Sequence, residues 1–210
     1  MSTTQGEPIT AATEHQLAGR SLGWWGMIFF ITSEALIFAN LIAAYLYLEI
    51  RNMGGHWAFK LPSGDYLDVV FPLINTFILL ASSIPARFAG ASIARGNRRN
   101  MVLGLLGTIV LGSIFLGGQL YEYTNLFASN FTIHYQAFGS AFYTLTGFHG
   151  LHVTVGILFL LICLIRALRG DFTAKNHFAV QAGEMYWHFV DFVWIFVVST
   201  VYLLPLLLHP

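Results

Sequence analysis

Five apolar stretches, near 22–48, 67–89, 100–122, 138–167 and 184–208, constrain this chain more than any other feature. A hydrocarbon core of about 30 Å takes about 20 helical residues to cross, and each stretch reaches that length. Only 10% of the residues are charged and 56% are apolar, whereas a soluble domain carries about a quarter charged residues. The apolar excess must therefore face lipid. The fold class that follows is all-α: a polytopic membrane protein built as a bundle of five transmembrane helices over 22–210. The polar segment before it, 1–21, is rich in Thr and Ala and lacks the apolar core and small-residue cleavage site of a signal peptide, so it reads as a cytoplasmic tail.

Lys and Arg orient the bundle. With the N-terminus inside, the inner face holds Arg20, Arg87, Arg95, Arg98, Arg99, Arg166, Arg169 and Lys175, and the outer face holds only Arg51 and Lys60. Eight against two is a positive-inside asymmetry and predicts an N-in/C-out chain. Trp24, Trp25 and Trp57 fall near the expected interfaces, and Pro62, Gly64 and Asp65 mark an irregular outer loop. The second outer loop, 123–137, ends in a polar and aromatic run placed to cap the bundle. Ten Lys+Arg balance ten Asp+Glu, which leaves no basic field for a nucleic acid. The single cysteine, Cys163, excludes a disulfide within the chain and any cysteine-rich metal site.

Small residues recur at helical spacing. Ala35, Ala39 and Ala43 do so in the first helix, and Gly104, Thr108 and Gly112 in the third, with Ser113 and Gly117 beside them. Such a row either lets two helix backbones approach closely or reflects the general abundance of small residues in membrane helices.

Ionisable groups at bilayer depth are costly, by about 2.5–3.5 kcal/mol on insertion scales. Glu34 lies roughly 18 Å into the first helix at 1.5 Å per residue. It is either a protonatable group in a proton path or partner contact, or a carboxyl that hydrogen-bonds a neighbouring helix and locks packing. Asn75, at similar depth, is its expected partner if the first two helices touch. His149 and His152 share one face of the fourth helix at i, i+3. Two imidazoles could begin a metal or haem site; the simpler reading is hydrogen bonding to neighbouring helices or a subunit. Glu184, His188 and Asp191 form an acid–His–acid ladder at i, i+4, i+7 on the fifth helix, which either clamps the fold or relays protons. Glu122, Tyr121 and Tyr123 read as interfacial groups. The chain carries none of the phosphate-binding, dinucleotide, nucleophile-elbow or HExxH motifs.

Taken together, WWGMIFFITSEALIFANLIAAYLYL, PLINTFILLASS, LGGQLYEYTNL, YTLTGFHGLHVTVGI and YWHFVDFVWIFVVSTVYLL resemble subunit III of the haem–copper oxidases, in the family's order and over nearly the whole chain after residue 20. The resemblance implies a five-helix form without the two N-terminal helices of seven-helix members, with Glu34 at the family's buried glutamate. It implies a non-catalytic subunit with no cofactor or metal of its own. Its partners would be subunit I, which holds the haem–copper centre, then subunit II and small subunits, structural phospholipid, and a supercomplex with an electron-donor complex. The implied roles are to stabilise subunit I, support proton uptake and shape a lipid-lined route for oxygen, in a bacterial plasma membrane. Glu34, His149, His152, His188 and Asp191 fall on the family's polar positions; none becomes a ligand. The wording resembles cytochrome c oxidases more than quinol oxidases, with one departure: an acid common two turns before the HFVD histidine is Gln181 here, and the nearby acid is Glu184. Outside this family, the residues admit a proton-coupled transporter using Glu34 and the histidines, which lacks the internal repeat of many transporters, or a haem protein using His149 or His152.

Overall fold

The computed structural model describes residues 21–52, 61–62, 64 and 67–204. Trp57, Lys60, Asp65, Arg20 and the rest of the expected tail, together with 205–208 of the last expected helix, lie outside the described residues. Five helices follow in order: α1 Leu22–Asn52, α2 Val70–Ala94, α3 Arg98–Ala128, α4 Gln136–Arg169 and α5 Phe178–Val198, the last running into a π turn, Ser199–Leu203. All five are long and apolar enough to cross a membrane.

The expected spans are in place, and their ends are corrected by capping. Gly96, at φ +78°, returns its N–H to Ile93, and Asn97 bonds back to Ser92. The Asn97 side chain then accepts from the backbone of Asn100. One three-residue turn thus closes α2 and opens α3, where a linker of ten residues was expected. Gly170, at φ +97°, ends α4 in the same way, with its N–H on Arg166 and Ala167. α5 begins six residues earlier than expected, at Phe178. Much of the expected outer loop 123–137 is helix, because α3 continues to Ala128; the polar and aromatic run after it does fold onto the bundle, where Phe131 is fully buried.

Side-chain contacts fix the sidedness. Arg98, at the start of α3, donates to the carbonyl of Ala167 at the end of α4, and the ring of Phe178 covers Gly23, so α1 and α5 start together. At the other end of the bundle Tyr202 donates to Glu122. The chain therefore enters and leaves the bundle on opposite faces. Arg95, Arg98, Arg99, Arg166, Arg169 and Lys175 gather at the entry face, between or beside the ends of α2, α3, α4 and α5.

Lipid removes the hydrophobic drive between helices and leaves close packing and hydrogen bonds to hold them. α2 and α3 make the most extensive pairing. There the Gly104 row does what such rows allow: a Cβ on Gly104 would lie 2.7 Å from the carbonyl oxygen of Pro85 and 2.8 Å from the Cβ of Ala89. Gly112, in the same row, makes room for the Trp187 ring, 2.6 Å from where its Cβ would be. Gly117 has open space before it. Helix α5 packs on α1, α2 and α4 and is the most buried of the five; α1 touches only α4 and α5 extensively and is the least buried. Consequently the Ala35, Ala39 and Ala43 row is exposed rather than packed. Ala35 and Ala39 instead line an apolar groove of about 350 Å³ whose other wall is Phe189, Phe192 and Phe196 of α5.

Candidate functional site

Two constellations of polar side chains lie inside the bundle, and each is held by more than one helix. The first joins α1 to α4. Nε2 of His152 lies 3.0 Å from Oε2 of Glu34. Its Nδ1 lies 2.8 Å from the carbonyl of Phe148, one turn back on α4. A carbonyl only accepts, so Nδ1 carries the hydrogen. Nε2 then either accepts from a protonated Glu34 or donates to its carboxylate, and in both cases one proton sits between the two groups and the pair is neutral. Phe38 and Phe148 wall the imidazole at centroid distances of 4.8 and 4.7 Å.

Asn75 is not the partner of Glu34. It donates to the carbonyl of Phe115 on α3, at 2.9 Å, because α2 packs on α3 and α5 and not extensively on α1. His149 and His152 also part company. Three residues on a helix are about 60° short of a full turn, enough to send the neighbours to different helices. His149 is fully buried, stacked on Trp194 of α5 at 4.6 Å and met edge-on by Phe115 of α3 at 6.0 Å. One imidazole is sealed by aromatic rings and the other has both nitrogens engaged, so the pair presents no shared ligand site. Among the described residues no group of three or more His, Cys, Asp and Glu stands close enough to hold a metal ion.

The second constellation joins α2 to α5. Ser83 lies 2.9 Å from Nδ1 of His188 and also donates to Oδ2 of Asp191. Nε2 of His188 is 3.8 Å from Oε1 of Glu184. The carboxylate of Glu184 lies over Gly90, where any Cβ would collide with it, so this glycine makes room for the acid. All three members of the ladder therefore share one face, and α2 supplies the side chain between His188 and Asp191.

Further cross-helix bonds extend the same seam in antiparallel order. Trp187 donates to Ser82 at 2.8 Å and Trp194 to Thr76 at 2.9 Å. Sequence reasoning missed Thr76, Ser82 and Ser83. Their signal was available: hydroxyls six and seven residues apart in an apolar helix, and, on α5, two tryptophans seven apart whose indole N–H must find an acceptor once buried. Reading Glu122 and Tyr123 as interfacial groups also missed their bonds across helices. Tyr202 donates to Glu122 at 2.7 Å and Tyr123 shares a hydrogen with Thr146 at 2.7 Å.

Both constellations bring protonatable side chains of different helices into contact within the spans. The family model described as Cytochrome c oxidase subunit III matches residues 7–205. Proteins named Cytochrome c oxidase subunit 3 from Pan troglodytes, Homo sapiens and Loxodonta africana are 45%, 44% and 43% identical to the chain over 185 residues, which is 85% of this chain and 68% of each relative. A match of that extent and identity, across all five helices, places the chain in the cytochrome c oxidase subunit III family.

Proposed function

We propose that the chain is the non-catalytic subunit III of a proton-pumping cytochrome c oxidase, which reduces oxygen to water, and that it braces subunit I and supports proton uptake there. The observation that carries this reading is the 45% identity over 185 residues to a protein named as that subunit. The same names favour cytochrome c over quinol as the donor of the complex. Haem and copper belong to the partner subunits in this reading, which the sealed ring of His149 and the doubly engaged ring of His152 support.

Positive-inside asymmetry supports an N-in/C-out orientation, and the membrane in this reading is a bacterial plasma membrane, with Glu34, His149, His152, Glu184, His188 and Asp191 as the intramembrane polar groups. The apolar groove of Ala35, Ala39 and Phe192 suits the acyl chain of a bound phospholipid. Subunit II, small subunits and an electron-donor complex complete the assembly.

The test is purification from detergent-solubilised membranes through a tag on this chain. A larger subunit with haem absorbance should co-purify in equal amount, and the chain separated from it should show a featureless Soret region. Stoichiometric haem or copper on the separated chain would overturn the reading.

A further inference from the structure

The α2–α5 constellation has a direction that can be worked out from the number of hydrogens each group carries. A serine hydroxyl owns one hydrogen, so of its two contacts one is donated and the other accepted. With the Ser83 hydrogen on Asp191, its oxygen accepts from Nδ1–H of His188, and Nε2 of His188 is free to take a proton from the side of Glu184. With Asp191 protonated and donating to Ser83, the hydroxyl turns its hydrogen to Nδ1, and the imidazole hydrogen sits on Nε2 facing Glu184. Both arrangements satisfy the two hydrogen bonds of Ser83, and in both Glu184 Oε1 stands 3.8 Å from Nε2, a gap its side chain closes when it exchanges a proton. They differ by the passage of one proton.

We propose that Glu184, His188, Ser83 and Asp191 form a proton-conducting chain, with the Ser83 hydroxyl as the link between helices and Asp191 as the group that stores the proton. The transfer balances as follows. The Glu184 carboxyl swings in to close the 3.8 Å gap, and its O–H bond breaks as an N–H bond forms at Nε2 of His188. The N–H bond at Nδ1 breaks as a new O–H bond forms on Ser83, and the original Ser83 hydrogen moves to Oδ2 of Asp191. The net change is protonated Glu184 and ionised Asp191 becoming ionised Glu184 and protonated Asp191; reversal of the same steps, or rotation of the imidazole, resets the histidine.

Three further observations point the same way. Glu184 and His188 have 23% and 38% of their side-chain surfaces uncovered by this chain, while Asp191 is 5% exposed, so the acid at the Ser83 end is the one this chain encloses. Oδ1 of Asp191 and Nε2 of His188 are buried with no hydrogen-bond partner, which leaves each a lone pair for a proton in transit. Seven residues separate the two acids on α5, about 10 Å of helix, a span that a single histidine and a hydroxyl can bridge.

The charged surroundings are few. Arg87 lies on the same stripe of α2, one turn from Ser83 and one from Gly90. The Glu34–His152 pair meets the other side of α5, through Tyr186, whose hydroxyl donates to the carbonyl of His152. The inference does not depend on which complex the chain joins.

The experiment is hydrogen–deuterium exchange of the carboxyl C=O stretching band by difference infrared spectroscopy, on the assembled membrane complex, with D191N identifying the band. The wild type should show a D191N-sensitive band that shifts on mixing with D2O. S83A should slow that shift at least tenfold and S83T should keep it near the wild-type rate, since only the hydroxyl is required. E184Q, which keeps the side-chain shape over Gly90, should slow it as well and serves where S83A does not assemble. Absence of a D191N-sensitive band, or exchange in S83A or E184Q at the wild-type rate, overturns the proposal. Co-purification of the metal-bearing partner is scored separately, so a failed relay is distinguishable from a failed subunit assignment.

Discussion

The two helices that carry the buried acids are held in opposite ways. α5 lies between α1, α2 and α4 and is closed by indole–hydroxyl bonds at Trp187 and Trp194. α1 leans chiefly on α4 and α5, leaves its alanine row exposed, and has Glu34–His152 as a polar tie at mid-depth. Apolar contact earns little where the solvent is itself apolar. A peripheral helix is therefore located chiefly by its few polar anchors, whereas a central helix is located by steric fit and has hydroxyls to spare for other work.

That contrast can be broken most severely at the α2–α3 contact. Gly104→Leu pushes a side chain into the backbone of Pro85, at a cost of roughly 3 kcal/mol or more, the upper end for an overpacked core. The expected outcome is loss of the assembled subunit in detergent, measured by gel filtration, because the wall that carries Ser83 can no longer form. An intact, wild-type elution profile would show that the contact yields.

A smaller effect is expected at the peripheral anchor. Glu34→Ala strips His152 of its Nε2 partner, worth about 1–3 kcal/mol for a buried group left unsatisfied. Initial oxygen consumption should persist, while thermal lifetime of the complex or sustained turnover falls; Glu34→Gln, whose amide can donate to Nε2, should lie between. Immediate collapse of oxygen consumption with normal assembly would contradict a supporting role. On the central helix, Thr76→Val removes one acceptor from Trp194 and should cost less, about 0.6–1.7 kcal/mol by the range for such bonds in membranes, because steric fit remains. Thermal denaturation of both variants in one detergent ranks the two anchors directly. Least affected should be Ala39→Leu, within about 0.5 kcal/mol, since Ala39 faces an open groove of about 350 Å³ that has room for the larger side chain before the α5 wall. A large loss of assembly with that variant would identify the groove as the seat of a partner rather than of lipid.

The sequence carried the five spans because a lipid solvent leaves little choice of structure for a run of twenty apolar residues. It carried the ladder on α5 for a similar reason: positions 184, 188 and 191 share a face of any straight helix. It was silent on which helices meet. That silence explains both the expected Asn75 partner for Glu34 and the expected kinship of His149 with His152. Depth and face are properties of one helix, while a hydrogen bond is a property of two. Ser83 escaped notice because serine is unremarkable in a membrane helix until its neighbour across the gap is known. The two small-residue rows made the same point. They look alike in sequence, yet the glycine row is filled by Ala89 and Trp187 while the alanine row stays exposed along an open groove.

The π turn at the end of α5 holds one residue more than an α-helical turn requires. Tyr202 sits within that turn and anchors to Glu122. The turn absorbs that residue: excising Thr200 would let the helix close into regular α geometry and move the tyrosine hydroxyl only a fraction of a turn relative to its carboxylate, instead of the roughly 100° that a deletion in a straight α-helix imposes. The closing segment of the bundle is thus aimed by residue count as well as by side-chain chemistry, and the π turn is the one place on α5 where a residue can be removed while the helix beyond it keeps nearly the same face toward α3.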